Sequence, residues 1–265
     1  MKYYATPGKH GLGWVPDIPD HRDRIFQAEL AAAKGVTLPR SIDLRPDCPP
    51  IYDQGQLGSC TANALAAAFD FDHHKEGEPF MSPSRLFIYW NERNLEGTVD
   101  SDAGAMIRDG VKVLVKLGAS PETDWPYDIA KFTVKPPVQA YQDGLKNRLL
   151  TYQRIMRPAA NPTNDMLTCL SSGYPFVTGI SVYESFETDA TAATGRIPVP
   201  QKSETLLGGH AILVVGYDIG KEEFICRNSW GSSWGDKGYC YLPFEYLAST
   251  GLASDQWLLR TVEER

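Results

Sequence analysis

Apolar residues recur at helical spacing through the first half of the chain. Small and aromatic residues follow Cys60 on one stripe, which predicts a helix that opens at Cys60 or Thr61. A second helix is predicted with Ser82 as its N-cap and Pro83 at its first position, where the missing N–H is no loss. Three further helices are predicted over residues 105–117, 141–150 and 164–171.

Beyond residue 173 the pattern changes to short β-branched or aromatic runs bounded by Gly and Pro, which is typical of strands. The stretch 184–209, rich in Thr, Ala and Gly, is predicted to be a long surface loop. Helices followed by strands indicate an α+β fold with a helical half and a sheet or barrel half. The predicted strands are 175–183, 211–217, 223–229 and 238–242.

Residues 1–37 differ from the rest of the chain, because glycines and prolines surround the aromatic residues Tyr3, Tyr4 and Trp14. A short helix is predicted at 23–33, followed by a small-residue hinge at Lys34-Gly35. At about 3.3 Å per residue, an extended arm of this length can cross the whole face of a domain. The alternatives are a disordered tail and a docked arm, and the aromatic residues favour docking.

Composition narrows the function classes. Among 265 residues, 42% are hydrophobic, as in ordinary globular proteins, and the net charge of −7 argues against nucleic-acid binding. No apolar stretch approaches the roughly 20 residues that span a membrane. The N-terminus lacks the apolar segment of a Sec signal peptide, so a cytoplasmic protein or one exported by a non-Sec route is expected.

Five cysteines form no C-x-x-C pair, so the spacing predicts no zinc site. Cys226 and Cys240 fall on adjacent predicted strands and could form a disulfide or remain thiols. Cys60 is different, because it follows two glycines in "DQGQLGSC" and opens a helix. The positive end of the helix dipole stabilises a thiolate, which is the nucleophilic form of cysteine. A buried structural cysteine is the alternative.

A nucleophile needs a base, and His210 is the candidate because it precedes an apolar strand behind two glycines in "GGHAILVVGY". Beside a thiolate its imidazolium form would be stabilised as an ion pair. Asn228 in "CRNSWG" could orient the imidazole, with Trp230 keeping water off that bond, or could belong to a simple turn. The Gln54 side-chain NH₂ could join the Cys60 N–H in an oxyanion hole, although a surface glutamine is the alternative.

Taken together, "DQGQLGSC", "GGHAILVVGYD" and "RNSWGSSWGDKGY" resemble the Gln, Cys, His and Asn blocks of the papain-like cysteine proteases, the papain and cathepsin family. "LPRSIDLR" at 38–45 is similar to the start of the mature enzymes. The resemblance extends over 38–265 and is to the bacterial members of the family. It implies a papain-like two-subdomain α+β fold, in which an active-site cleft separates a helical half from an antiparallel β-barrel-like half. The helical half would span about 47–150, and the β-rich half about 151–265 together with 38–46.

The same resemblance implies a cysteine endopeptidase that forms and then hydrolyses an acyl-thioester. Cys60 would be the nucleophile, His210 the general base and acid, Asn228 the residue that orients the histidine and Gln54 the oxyanion donor. A peptide or protein substrate is implied, and no cofactor or metal is. Nucleic acid and membrane are not expected partners. The alternatives are a catalytically silent peptide-binding pseudoenzyme, or a peptidyl or acyl transferase that uses the same Cys-His pair.

The substrate-binding residues are likewise implied by the resemblance. "GAMIRDGVKVLVKLG" followed by "DWPYD" is similar to the segment that lines the non-primed cleft. Substrate backbone would pair with Gly104 and Ala105 and with the Gly209 carbonyl. Met106 and Ile107 would form an apolar pocket for the second residue before the scissile bond, and Trp230 would flank the far side.

The chain also departs from the family pattern. Leu57 takes the position of a usual first cysteine, and Thr61 that of an aromatic residue. No cysteine lies between Cys60 and Cys169, so the usual disulfide that braces the active-site loop cannot form. The arm is shorter than the helical pro-segments of plant and animal members. It is predicted to be a short pro-segment that blocks the cleft as an intramolecular inhibitor and is removed near "AAAKGVTLP" at 31–39.

Overall fold

The first half of the chain is built around a long helix, α1 (Cys60–Lys75), whose residues are all buried as far as Asp72. The computed structural model that contains it describes residues 9–26, 28, 38–155 and 163–261. Helices α2 (Arg85–Glu96) and α3 (Ile107–Lys116) pack against α1, since a helix without a polar face needs cover on every side. The other α-helices of the described residues are α4 (Val138–Gly144), α5 (Asn164–Ser171), α6 (Asp189–Thr194) and α7 (Phe244–Ala248).

The strands form one antiparallel sheet, drawn mostly from the second half of the chain. Its hydrogen-bonded order is β2-β7-β3-β4-β5-β6, and β1 pairs with the C-terminal part of β4. Within the described residues the sheet stays open and does not close into a barrel, and the α+β class is confirmed. The strands are β1 (Ser41–Asp43), β2 (Thr151–Arg154), β3 (Phe176–Tyr183), β4 (Leu206–Asp218), β5 (Glu223–Arg227), β6 (Tyr239–Pro243) and β7 (Ala253–Arg260).

Strand β4 is buried on both faces. Ala211 and Leu213 pack into the core shared with α1, α2 and α3, whereas Ile212 and Val214 pack into a second core with α5. A slip of one residue would exchange the two faces, so this burial fixes the register of β4. It therefore also fixes the place of His210, which lies just before Ala211.

Two helix boundaries differ from the predictions. Helix α2 begins at Arg85 because Ser84, and not Ser82, is its N-cap and accepts the Phe87 N–H at 3.1 Å. Ser82 instead has a positive φ of 51°, and Pro83 forms a β-bridge with the segment after α3. Helix α4 ends at Gly144, so the prediction over 141–150 was displaced toward the C-terminus. The helices predicted at 105–117 and 164–171 are confirmed as α3 and α5.

The prediction of a surface loop at 184–209 was wrong. The segment contains a 3₁₀ turn at Glu184–Glu187, helix α6 and the start of β4 at Leu206. Composition misled here, because Phe186 is fully buried against Trp230 and anchors the segment to the body of the protein. The sequence pattern also missed the short strands β1 and β2 and the longer β7.

The arm is docked along the described residues 9–26. Residues 23–26 are not helical: Ile25 forms a β-bridge with Arg154, and the Phe26 N–H donates to the Arg154 carbonyl at 2.9 Å. Apart from Ala28, the rest of the helix predicted at 23–33 and the hinge at Lys34-Gly35 lie outside the described residues.

All five cysteines lie within the described residues and are free thiols. Cys226 on β5 and Cys240 on β6 lie opposite each other in the sheet, and both are fully buried. Among the described residues there is no cluster of three or more potential metal ligands, and no helix is long and apolar enough to cross a membrane.

Candidate active site

The Cys60 thiol lies at the first position of α1 and faces β4. The backbone N–H groups of Ala211 and of Gly13 in the arm lie near the sulfur and favour its thiolate form. The side chain is nevertheless fully buried, and burial raises the pKa of Cys60 to about 12. In this arm-covered conformation burial opposes the predicted thiolate, because lost hydration outweighs the helix terminus and the nearby N–H groups.

The His210 imidazole is held by Asn228, at 2.7 Å from Nε2 to Oδ1. The same Oδ1 accepts the Ser229 N–H at 2.8 Å, so this atom is an acceptor and Nε2 carries the proton. The other ring nitrogen, Nδ1, is buried without a hydrogen-bond partner in the described residues. Trp230 lies 4.8 Å from the imidazole ring, as expected for a shielding indole.

Burial lowers the pKa of His210 to about 4, although the bond with Asn228 opposes this shift. The imidazole is therefore neutral at neutral pH. In this conformation burial therefore opposes both charges of the predicted thiolate–imidazolium pair with Cys60, and the pair stays a prediction for the cleft without the arm.

The Gln54 side chain is fully buried rather than exposed on a surface loop. Its Oε1 accepts the Ser229 hydroxyl at 2.6 Å, which links Gln54 to Asn228 and His210 in one network. Its Nε2 donates to two carbonyls, those of Leu57 and of Gly11, each at 2.9 Å. The donor predicted to bind an oxyanion is thus occupied by a carbonyl of the arm.

The arm binds the backbone groups that were predicted to bind substrate. The Ala105 N–H donates to the Gly13 carbonyl at 2.8 Å, and the Val15 N–H donates to the Ala105 carbonyl at 3.0 Å. The Trp14 N–H donates to the Gly209 carbonyl at 3.0 Å. The two bonds of Ala105 make a parallel β-bridge between Trp14 and Ala105. The arm therefore lies in the cleft between the two halves.

Glycines make room for the arm. Gly104 has a φ of +71°, and a Cβ there would lie 2.1 Å from the Gly13 carbonyl oxygen. A Cβ on Gly179 would lie 2.0 Å from the Trp14 ring. Trp14 borders a cavity of about 540 Å³ that is also lined by Gly209.

Met106 and Ile107, which were predicted to form an apolar pocket, differ in their exposure to solvent. Met106 is partly exposed as the N-cap of α3, and its N–H donates to Glu96 Oε1 at 2.8 Å. Ile107 is fully buried in the helical core. The indole of Trp14 instead packs against Gly179 and Gly209.

Farther along the arm, Asp17 anchors the docked segment. Its carboxylate accepts the Arg108 N–H at 3.0 Å and the Trp257 indole N–H at 2.8 Å. Its own N–H donates to the Asp255 carboxylate at 2.8 Å. These buried contacts join the arm to both α3 and β7, and neither Asp17 nor Asp255 was singled out from the sequence.

A carboxylate braces the loop before the nucleophile, in the place of the missing disulfide. The Gly58 N–H donates to both oxygens of Asp102, at 3.1 and 3.0 Å. The Tyr89 hydroxyl holds Asp102 from the other side. Thr61 likewise donates its hydroxyl to the buried Glu92 at 2.9 Å. These partners are distant in sequence, so no local motif could reveal them.

The pKa shifts predict how the covered thiol reacts. At pH 8 the thiolate fraction of Cys60 falls by about 1,000-fold when the pKa rises from its ordinary value of about 9 to about 12. Iodoacetamide should therefore modify Cys60 at least about 100-fold more slowly in the native full chain than in the urea-unfolded chain. Peptide mass spectrometry would locate the label. Fast modification of native Cys60 that does not depend on pH between 5 and 8 would instead indicate an ion pair.

Comparisons with known proteins place these features in a family. The papain family cysteine protease model matches residues 38–257. An uncharacterised peptidase C1-like protein of Acanthamoeba polyphaga mimivirus is 39% identical over 273 residues, which cover 96% of this chain and 88% of that protein. The crystal structure of xylellain, a cysteine protease from Xylella fastidiosa, superposes on this chain with a TM-score of 0.87 and 43% sequence identity. The match covers 97% of this chain and 98% of the xylellain chain. Procathepsin B of Trypanosoma congolense shares the fold at 18% identity and a TM-score of 0.71, covering 95% and 87% of the two chains.

Proposed function

The chain belongs to the papain family of cysteine proteases, a family of peptide hydrolases, and we propose that Cys60 and His210 form its catalytic pair. The proposal is supported by the hydrogen-bond network in the cleft. Asn228 fixes the His210 tautomer with the proton on Nε2. The ring nitrogen left over, Nδ1, has its lone pair available to take the proton of the Cys60 thiol.

In the proposed reaction the Cys60 sulfur attacks the carbonyl carbon of the scissile bond. The C–S bond forms as the carbonyl π electrons move to oxygen, and the oxyanion accepts hydrogen bonds from Gln54 Nε2 and the Cys60 N–H. His210 then protonates the leaving nitrogen and the C–N bond breaks. Water, deprotonated by His210, attacks the thioester, and cleavage of the C–S bond releases the acid and restores Cys60.

We propose further that the chain is a zymogen, with residues 1–37 as its pro-segment and 38–265 as the peptidase domain. Four contacts support inhibition by the arm. Its Gly11 carbonyl takes the Gln54 donor, and Gly13 covers Cys60. Gly13 and Val15 bind the backbone of Ala105, and the Trp14 N–H binds the Gly209 carbonyl. Activation would require cleavage or release of the arm, with a cut near 31–39.

The direction of the arm supports its resistance to cleavage. From N- to C-terminus it passes Trp230 at His10, then Gln54 at Gly11, then Ala105 at Val15. A substrate whose non-primed residues lie at Ala105 and whose leaving group lies toward Trp230 runs the opposite way. The arm therefore binds the cleft in a reversed direction, in which no peptide bond is aligned for attack.

The substrate preference proposed is a bulky apolar residue at the second position before the cut. The Trp14 indole against Gly179 and Gly209 supports room for such a side chain. Equal turnover of reporters with Asp and with Leu or Phe at that position would contradict this preference.

The test is labelling and turnover of the full chain under reducing conditions, after the arm has been released. We expect an electrophilic peptide to label Cys60 in the released chain, and an apolar-Arg dipeptide reporter to be hydrolysed by wild type but not by Cys60→Ala. Labelling without turnover would indicate a peptide-binding pseudoenzyme. If an added amine captures most of the acyl group in place of water, the protein is a transferase. Absence of both labelling and turnover would contradict the proposed catalytic pair.

A further inference from the structure

A nearly buried carboxylate lies beyond the nucleophile, on the helical turn Glu184–Glu187. The Glu187 side chain is 6% exposed, and its Oε2 accepts the Lys9 N–H at 2.6 Å. Its Oε1 lies 3.6 Å from His10 Nδ1 and has no hydrogen-bond partner in the described part of the chain. Both neighbours belong to the arm, so this carboxylate faces the cleft.

An aromatic platform lies beside this carboxylate. The His10 ring is parallel to the Trp230 indole, with 4.0 Å between ring centroids and 5° between planes. The next residue, Gly11, has its carbonyl on Gln54 Nε2. The platform is therefore one residue away from the place of the reacting carbonyl, on the side that the leaving group would occupy.

The charge of the site comes mainly from Glu187. Burial alone would raise the pKa of Glu187, but contacts with His10 and with the Lys9 N–H lower it overall, so the carboxylate is ionised at neutral pH. Lys9 Nζ also lies 2.8 Å from Asp189, but their side chains are 60% and 99% exposed, and such surface pairs contribute little. When the arm leaves, this carboxylate loses the Lys9 N–H and His10, the two neighbours that lower its pKa.

We infer that Glu187 and Trp230 form a subsite for a basic residue just after the scissile bond of the substrate. The inference rests on the proposed peptidase function and adds to it the chemistry of the leaving group. Arginine fits best, because its planar guanidinium can stack on the indole while donating to the carboxylate. The arm then holds this subsite with its own Lys9-His10 pair, as a substitute for the substrate's basic residue.

The test uses the full chain with Gly13→Ala, a substitution that the covered cleft cannot accommodate. Internally quenched peptides are matched before the cut and carry Arg, Gln or Glu at the first or second position after it. We expect kcat/KM for Arg to exceed that for Glu by about tenfold or more. Glu187→Gln should reduce this ratio to about twofold or less. Glu184→Gln, the same change on the exposed side of the same turn, is the matched control and should keep the ratio.

Binding separates this inference from the proposed function. The same peptides are titrated against the Gly13→Ala chain that also carries Cys60→Ala, in which binding needs no chemistry. Hydrolysis without a preference for Arg, or a preference that survives Glu187→Gln, overturns the subsite and leaves the peptidase intact. A Glu187-dependent preference in binding without hydrolysis by the Cys60 form supports the subsite and overturns the peptidase. Absence of any preference in binding overturns the subsite whether or not the peptides are cut.

Discussion

A chain that starts at Leu38 is expected to hydrolyse a dipeptide reporter at least about 100-fold faster than the full chain. The full chain must first release the arm from the cleft, and burial of the Trp14 side chain alone is worth about 1.5–3 kcal/mol. Together with the backbone bonds at Ala105 and Gly209, this burial gives an expected docking free energy of ~3 kcal/mol. Each 1.4 kcal/mol changes the fraction of open cleft tenfold, so ~3 kcal/mol corresponds to about 100-fold. The measurement is kcat/KM under reducing conditions, with Cys60→Ala as the inactive control.

The full chain with Gly13→Ala tests the same contact without removing any residue. A Cβ on Gly13 would lie 1.8 Å from the Gly58 carbonyl oxygen, which is backbone and cannot move aside cheaply. We expect this variant to approach the rate of the Leu38 chain. Ile18→Ala changes an arm side chain that is 69% exposed and should leave the full chain as slow as wild type. Equal rates for wild type, Gly13→Ala and the Leu38 chain would contradict inhibition by the arm.

Some of the site can be predicted from the sequence because its signals are local. A cysteine that opens a helix, a histidine that enters a strand and an asparagine in a Trp-Gly turn each have a distinctive neighbourhood. The structure brings His210, Asn228 and Gln54 into one network through Ser229. It also places Cys60 beside the residue that follows His210.

Other parts of the site depend on contacts between distant segments, for which the sequence has no local signal. Glu187 and Lys9 are 178 residues apart, and Asp102 and Gly58 are 44 apart. The effect of burial on the pKa of Cys60 likewise has no local signal. A helix N-terminus favours a thiolate, but whether water reaches it depends on the docked arm. Composition failed in a similar way at 184–209, where buried aromatic contacts outweigh a loop-like sequence.

The contribution of Gln54 to catalysis is expected to be nearly as large as that of the arm to inhibition. In the arm-released chain, Gln54→Ala should lower kcat by about 100-fold to 1,000-fold with little change in KM, as for other single oxyanion donors. The donor acts on the oxyanion of the transition state and not on the bound substrate, so the loss falls on kcat. Gln56→Ala, an exposed glutamine on the same loop, is the matched control and should keep kcat within about twofold.

Gln54 also holds Ser229 and the Leu57 carbonyl, so a loss of activity could arise from a displaced loop. Alkylation of Cys60 by iodoacetamide separates the two causes, because that displacement forms no oxyanion but still needs the thiolate and a correctly placed His210. If Gln54 is an oxyanion donor, Gln54→Ala lowers peptide turnover and leaves the alkylation rate of the released chain almost unchanged. An equal loss in both rates would mean that Gln54 supports the loop and does not bind the oxyanion. Gln54→Glu sharpens the distinction, since it keeps an acceptor for Ser229 while removing the amide donor.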